Sequence, residues 1–206
     1  MNNSGVVVGT YSLDPLDNST HGFWFVGKTY TTFDYPGGAQ YTVATAINKS
    51  DQFVGLYDFP NDPDNHGFLL NQGVFSQITF LGALGTSPYG ISDTGEIVGQ
   101  YTLDNVVTQG FTLLNGVFTT ITYPGATDTY VFGINNSGQI VGAYDYTPGA
   151  TVHGFLLDSG NFTSFDVPYA GAVWTYPYAI NNKGRVVGQY WDSNNFTFGF
   201  SAQVSK

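Results

Sequence analysis

The stretch Ile134-Asn135-Asn136-Ser137-Gly138-Gln139-Ile140-Val141-Gly142 decides the fold, because variants of it occur five times along the chain. Successive copies are 43–46 residues apart, counted between their final glycines. A period of this length indicates a repeat architecture, in which each repeat is one supersecondary unit that packs on its neighbours. The other copies span Asn2–Gly9, Ile47–Gly55, Ile91–Gly99 and Ile180–Gly188.

Each repeat contains four β-prone runs separated by turns rich in Gly, Asn, Asp and Ser. Short runs bounded by such residues predict antiparallel hairpins. We name the four strands A, B, C and D in chain order. Four antiparallel strands in about 40–50 residues are typical of one blade of a β-propeller. In the fourth repeat the predicted strands cover residues 129–135, 139–144, 153–157 and 161–166.

The strand count predicts an all-β, five-bladed propeller in a single domain, residues 1–206. Only four D strands and four complete A strands accompany the five B and five C strands, so the first and last blades are incomplete. Three explanations stay open: a fragment of a longer repeat protein, a ring closed by two three-stranded blades, or self-association in which a neighbouring chain supplies the missing strand. The predicted blades are 1–38, 39–82, 83–125, 126–171 and 172–206.

Residues that recur in every blade are predicted to be structural. Strand B carries a Gly-x-Tyr pattern and strand C a Gly-Phe pair, which suit close backbone approach and packing between blades. His21, His66 and His153 begin strand C, about 10 Å outside strand A, so they cannot meet at one metal ion. Gln109 occupies the same position in blade 3, which favours a polar side chain that bonds nearby backbone.

The motifs I-N-N-x-G-x-I-V-G, H-G-F and P-G-A-x-x-T resemble the bacterial extracellular family known as HAF repeats, over nearly the whole chain. The resemblance implies a bacterial protein located outside the cell or on its surface. That family is defined by its repeat and has no established activity, so it assigns no catalytic residue. No signal peptide is visible, because the chain opens within a repeat motif.

Composition limits the ligands that the protein can take. The net charge is −10, with 15 acidic residues against five Lys and Arg, which argues against nucleic acid as a partner. No apolar run is long enough to insert into a membrane as a helix. The absence of cysteine excludes disulfides and thiolate metal sites. Cations and neutral ligands such as carbohydrates remain open.

The ring axis is where a binding site is expected, because strand A and the loops at its ends converge there. The D–A and B–C loops share one face, which gathers polar hydroxyls and aromatic rings suited to a carbohydrate or another neutral ligand. The predicted ligand-binding residues are Thr42, Thr86, Thr129, Thr175, Tyr41, Tyr123, Tyr169, Trp174 and Tyr176.

Two alternatives compete with a binding module. One is a hydrolase with an axial acidic or metal-assisted site, for which Asp128 is the catalytic candidate because it interrupts the repeat beside Thr129. The other is a structural or adhesive repeat of a larger surface protein. Several B–C loops are acidic, at 14–18, 58–65 and 104–105. Asp62 and Asp64 could bind Ca²⁺, although ordinary turn chemistry explains them as well.

Overall fold

A computed structural model describes residues 1–13, 19–62, 64–103, 107–147 and 150–204. These residues form five antiparallel sheets arranged in a ring, a five-bladed β-propeller. Three blades have four strands, and the first and last have three. No helix that could span a membrane occurs among the residues described. The predicted fold class is therefore confirmed.

The strands follow one another in chain order within every blade. Blade 1 contains β1 (Val7–Tyr11), β2 (His21–Val26) and β3 (Thr29–Phe33) as strands B, C and D. Blade 2 contains β4 (Tyr41–Ile47), β5 (Phe53–Asp58), β6 (His66–Asn71) and β7 (Val74–Ile78). Blade 3 contains β8 (Gly85–Ile91), β9 (Ile97–Thr102), β10 (Thr108–Leu114) and β11 (Val117–Ile121). Blade 4 contains β12 (Asp128–Ile134), β13 (Ile140–Asp145), β14 (His153–Asp158) and β15 (Asn161–Phe165). Blade 5 contains β16 (Ala172–Ile180), β17 (Arg185–Asp192) and β18 (Thr197–Gln203) as strands A, B and C.

Each A strand carries a β-bulge at the same register position. In β12 the bulged residue is Phe132, because Val131 pairs with Gly142 while Gly133 pairs with Val141. The A-strand backbone approaches strand B so closely that a Cβ atom on Gly142 would meet the carbonyl oxygen of Tyr130. Only glycine fits there, which explains the B-strand glycine of the repeat.

Four clusters of buried apolar residues fill the spaces between consecutive blades from 1 to 5. At three of these interfaces an aromatic residue of the D–A loop stacks on the B-strand tyrosine of the next blade, with ring centroids 3.5–3.7 Å apart. Each large side chain buried in this way contributes about 1.5–3 kcal/mol. The stacked pairs are Tyr35 on Tyr57, Phe80 on Tyr101 and Tyr123 on Tyr144.

The A–B turns of all blades meet at one end of the ring axis, which we call the turn end. Side-chain amides there link one blade to the next: Asn135 Nδ2 donates to the carbonyl oxygen of Asn181, 3.1 Å away. Asn135 Oδ1 also accepts the backbone N–H groups of Ser137 and Gln139. Equivalent bonds run from Asn2 to Asn48. The opposite end, which carries the D–A and B–C loops, is the loop end.

Candidate functional site

The bulged residues of the four A strands form an inner ring around the axis. A bulge turns the side chain of the extra residue in a new direction, here toward the axis. Neighbouring rings approach one another, with centroids 5.9 Å apart for Tyr89 and Phe132 and 5.2 Å apart for Phe132 and Tyr178. The four bulged residues are Thr45, Tyr89, Phe132 and Tyr178.

The next level toward the loop end is aromatic on one side only. It consists of Val43, Ser87, Tyr130 and Tyr176. Tyr176 lies with its ring centroid 6.3 Å from that of Phe132, and Tyr130 lies parallel to the same ring at 6.4 Å. Blades 4 and 5 therefore present tyrosines where blades 2 and 3 present small side chains. This asymmetry favours one axial site over several equivalent ones.

The outermost level pairs each A strand with the last residues of its B strand. Asp128 lies directly opposite Asp145 in blade 4, and Trp174 opposite Trp191 in blade 5. Both carboxyl groups of the blade 4 pair are buried, with exposed fractions of 2% and 1%. Asp128 Oδ1 accepts the backbone N–H of Thr108 at 2.6 Å.

The environment of Asp145 favours its protonated form. Burial, and secondly the charge of Asp128, raise the pKa of the Asp145 carboxyl, and a weak 3.5 Å hydrogen bond donated by the Tyr130 hydroxyl opposes this only in part. Burial and the two carboxylates also raise the pKa of the Tyr130 hydroxyl. Perturbed titrating groups of this kind are frequent in functional sites.

Four buried side-chain atoms among the described residues lack a hydrogen-bond partner, and all of them belong to B-strand residues at the loop end. Buried polar atoms are nearly always hydrogen bonded, so such a concentration calls for an explanation. Three can accept a hydrogen bond and one can donate. They are Asp58 Oδ1, Gln100 Oε1, Asp145 Oδ1 and Trp191 Nε1.

The predicted threonine ring lies inside the blades instead of at a surface. All four threonines are buried, and each hydroxyl oxygen accepts the N–H of a D–A loop residue, as Thr129 does from Tyr123 at 3.0 Å. Strand alternation turns Thr129 to the same side as Val131, a core residue. The expectation that these hydroxyls contact a ligand is therefore corrected, because they hold the loops. The four are Thr42, Thr86, Thr129 and Thr175.

The predicted aromatic residues divide between the axis and the blade interfaces. Tyr176 lies beside the axis, and Tyr41 lies opposite Asp58 at the outermost level. Trp174 donates its indole N–H to the carbonyl oxygen of Ala150 and packs on Trp191. Tyr123 and Tyr169 lie farther out, each against a B-strand tyrosine. Sequence reasoning did not single out Asp145, because its pairing with Asp128 depends on the bulge.

The histidines have the structural environments that were predicted, although their partners are mainly carboxylates. His21 and His153 bond Asp34 and Asp166 of strand D at 2.8 and 2.9 Å. In blade 3 the same contact joins Gln109 and Thr122.

Both carboxylate oxygens of Asp62 accept hydrogen bonds from neighbouring residues. It bonds His66 through one oxygen and the N–H of Asp64 through the other. Within the described ranges no group of three or more His, Cys, Asp or Glu side chains is arranged to hold a metal. Calcium binding at Asp62 and Asp64 stays a prediction, and the acidic stretches 14–18 and 104–105 lie outside the described residues.

A cavity of about 230 Å³ lies at the turn end, where the A–B turns of all five blades line it. Its polar groups are largely engaged in bonds between blades: Asp93 and Asn136 side chains, for example, accept the backbone N–H groups of Lys49 and Asp93. We therefore assign the turn end to the architecture of the ring and the loop end to the candidate site.

No protein-family model matches the chain, so its membership of the HAF family is not confirmed. No curated protein matches it either. The chain does resemble solved β-propeller structures. Dipeptidyl peptidase 4 of Porphyromonas gingivalis is 12% identical, with a TM-score of 0.54, over 90% of this chain and 28% of that one.

Two further structures align equally well. A prolyl endopeptidase is 14% identical, with a TM-score of 0.52, over 90% of this chain and 27% of that one. A triple mutant of AofleA from Arthrobotrys oligospora is 15% identical, with a TM-score of 0.51, over 90% of this chain and 62% of that one. The chain spans less than two thirds of each of these proteins. At such low identity the likeness shows the fold alone.

Proposed function

We propose that this propeller is an extracellular binding module for a carbohydrate or another neutral, hydroxyl-bearing ligand, held at the loop end of the axis. The observation that carries the proposal is the concentration there of buried side-chain atoms without hydrogen-bond partners. The extracellular location rests on the motif resemblance and on a composition low in charge.

Hydroxyl groups match these side-chain atoms, because a hydroxyl both donates and accepts a hydrogen bond. Asp58, Gln100 and Asp145 offer acceptor oxygens and Trp191 offers an indole N–H, reached directly or through bridging waters. Tyr176 and its neighbours offer aromatic faces on which the C–H face of a sugar can pack. A surface of aromatic side chains with a few polar groups is typical of sites that bind small ligands.

A calorimetric titration against a panel of neutral and charged glycans tests the proposal. We expect one site per chain, and affinity for neutral glycans that changes little between low and high salt, because no ion pair is involved. Tyr176→Ala should weaken binding at least tenfold. Tyr146→Ala removes an exposed tyrosine of a loop-end B–C loop away from the axis and should leave the affinity unchanged. A panel without any binder would remove the proposal.

The pairing of Asp128 with Asp145 favours hydrolysis as a second candidate function. Asp128 and Asp145 are directly opposed on antiparallel strands, where Cβ atoms lie about 4.5–5.5 Å apart, so the two side chains are close neighbours. Glycosidases also use a pair of neighbouring carboxyl groups. Because burial and the nearby Asp128 raise the pKa of the Asp145 carboxyl, Asp145 would act as the acid and Asp128 as its partner. If a bound glycan is cleaved, Asp128→Asn should abolish turnover and keep binding. Equal turnover by the variant would eliminate this candidate.

A further inference from the structure

A serine hydroxyl joins the histidine–aspartate pair of blade 1. Ser19 Oγ lies 3.0 Å from His21 Nε2, and Asp34 Oδ1 lies 2.8 Å from His21 Nδ1. One imidazole therefore bridges a hydroxyl and a carboxyl group through its two ring nitrogens. Ser19 lies just before strand C and Asp34 just after strand D, so the B–C and D–A loops bring the three side chains together at the rim of the loop end.

The two contacts of the imidazole determine which groups donate. A carboxylate oxygen accepts hydrogen bonds, so His21 donates from Nδ1 to Asp34. In a neutral imidazole with its proton on Nδ1, the other nitrogen accepts. The Ser19 hydroxyl is then the donor to Nε2. This is the arrangement in which a histidine removes the proton of a serine hydroxyl that attacks a carbonyl carbon.

The blade architecture holds the imidazole in place. The ring of Tyr11 packs on that of His21 with centroids 5.2 Å apart. The B-strand tyrosines of blades 2 and 4 pack on His66 and His153 in the same way, at 5.2 and 5.3 Å. Fixed orientation matters for a general base, because a misplacement of about 1 Å can cost about 100-fold in rate. The repeat thus supplies a positioned histidine.

The serine distinguishes blade 1 from blade 4, which has the same histidine–aspartate pair. His153 Nδ1 lies 2.9 Å from its aspartate, but the residue equivalent to Ser19 is Thr151, which is exposed. Thr20 and Val152 establish this equivalence, since both form a parallel bridge to the A strand of the next blade. The histidine–aspartate pair therefore recurs with the repeat, and the serine is an addition in blade 1.

The three side chains are accessible from solvent. The side chains of His21 and Asp34 are 23% and 53% exposed, and Ser19 is half-buried. They lie at strand C and beyond, about 10 Å outside strand A, so they are separate from the ligand site at the axis. An open position of this kind suits a small acyl group with a good leaving group better than a long polymer.

We propose that Ser19, His21 and Asp34 form an esterase site for small carboxylic esters, an activity independent of the ligand site at the axis. Ser19 Oγ attacks the carbonyl carbon of the ester while its proton passes to His21 Nε2. The C–O bond to the alcohol then breaks, and the leaving alcohol takes that proton. Water attacks the acyl-serine in the same way, giving its proton to His21, which returns it to Ser19 Oγ as the carboxylic acid leaves. Asp34 is a positioning residue, because it holds the imidazole and does not touch the ester.

A fluorophosphonate probe, which phosphonylates activated serines, tests the nucleophile in the whole chain. We expect one adduct per chain by intact mass spectrometry, located at Ser19 by peptide mapping. Ser19→Ala should remove the adduct and lower the rate of p-nitrophenyl acetate hydrolysis at least about tenfold. Absence of an adduct on Ser19 at millimolar probe would overturn the proposal.

A matched pair of histidine variants tests the general base. His21→Gln should slow adduct formation at least about 100-fold, since proton transfer by a positioned base contributes about 10²–10⁴-fold. Gln109 occupies the same position in blade 3, so the fold should be kept, which circular dichroism checks. His153→Gln removes the histidine of the equivalent pair in blade 4 and should react at the wild-type rate. Equal rates for the two variants would overturn the proposal.

The aspartate is tested by a loss and a rescue. Asp34→Asn should slow adduct formation at least about tenfold, because its amide can donate to Nδ1 and so favours the wrong tautomer of His21. Asp34→Glu should recover part of the rate, because a carboxylate again accepts from Nδ1. Labelling of Asp34→Asn at the wild-type rate would overturn the positioning role.

Discussion

The two ends of the ring axis are built from the same repeat, yet they use their polar groups differently. At the turn end Asn135 bonds two backbone N–H groups, a side chain and the next blade. At the loop end Asp145, equally buried, has one oxygen without a partner. The end where the repeat is regular holds the ring together. The end where it is irregular has buried side-chain atoms without hydrogen-bond partners, and we propose that the ligand binds them.

The largest loss of stability should come from removing the hydrogen bonds that link the blades at the turn end. Asn135→Ala removes several buried hydrogen bonds, each worth about 0.5–1.5 kcal/mol, so the free energy of unfolding should fall by about 3 kcal/mol. Asn181→Ala is the matched control: among the described residues its exposed side chain bonds only the N–H groups of its own turn, and the loss of these bonds should cost about 1 kcal/mol. Urea denaturation followed by tryptophan fluorescence measures both. Equal costs would contradict the structural role assigned to the links between blades.

A loop-end carboxyl should matter for the ligand and not for the fold. Asp145→Asn should weaken glycan binding about tenfold, since an amide NH2 group replaces one of the two carboxyl oxygens available to the ligand. Its free energy of unfolding should not fall, because the repulsion from Asp128 disappears. Asp166→Asn, at an exposed acid bonded to His153, is the control and should keep full affinity. The contrary result is a destabilised Asp145→Asn variant with normal affinity.

The pH dependence of stability should distinguish acids whose pKa is raised by folding from acids whose pKa is lowered by it. A carboxyl whose pKa is raised by folding binds more protons in the folded state, so stability falls as the pH rises above the unfolded value of about 3.9. Asp145 is such a group, so Asp145→Asn should make the free energy of unfolding decrease less steeply as the pH rises. Asp192 is the opposite case: hydrogen bonds from backbone N–H groups lower its pKa, so its stabilising effect is lost as the pH drops through the folded value. Urea midpoints between pH 3 and 7 show both slopes, and parallel curves for the wild type and Asp145→Asn would contradict the assignment.

The smallest effect is expected at the strand C histidines. His153→Gln reproduces the residue that blade 3 already has at Gln109, which bonds Thr122 in the same way. The exposed pair with Asp166 is worth about 0–1 kcal/mol, so the unfolding free energy should change by less than about 1 kcal/mol. Glycan affinity should not change. A tenfold loss of affinity would place the outer rim, rather than the axis, in the binding site.

The ring can be predicted well from the sequence, because each copy of the repeat places the same residue types in the same structural environment. The B-strand glycine and the C-strand phenylalanine have one environment in each complete blade, so a single repeat gives the strand order of the others. The turn asparagine recurs in blades 2 and 4, and Ser92 replaces it in blade 3. The contrast between the two ends was harder to foresee. The turn end is conspicuous in the sequence, whereas the loop end differs from blade to blade.

The candidate site depends on register, which short motifs do not determine. Counting back from the Ile134–Ile140 pair without a bulge would put Thr129 opposite Asp145. The bulge at Phe132 shifts the register by one residue and puts Asp128 there. The same bulge brings Phe132 to the axis and leaves Thr129 facing the core. Asp128 could therefore be singled out by its irregular position, but its partner and the burial of the threonines could not.

The indole N–H signals of the three tryptophans offer the most direct test of the loop-end site. Trp191 has its indole nitrogen buried without a partner at the loop end, whereas Trp24 packs between blades 1 and 2. When a neutral glycan that binds is added in an NMR titration, we expect the Trp191 indole signal to shift in a saturable manner and the Trp24 signal to stay in place. A Trp191 signal that does not move, while the side-chain amides of the turn-end asparagines shift, would contradict a ligand site at the loop end.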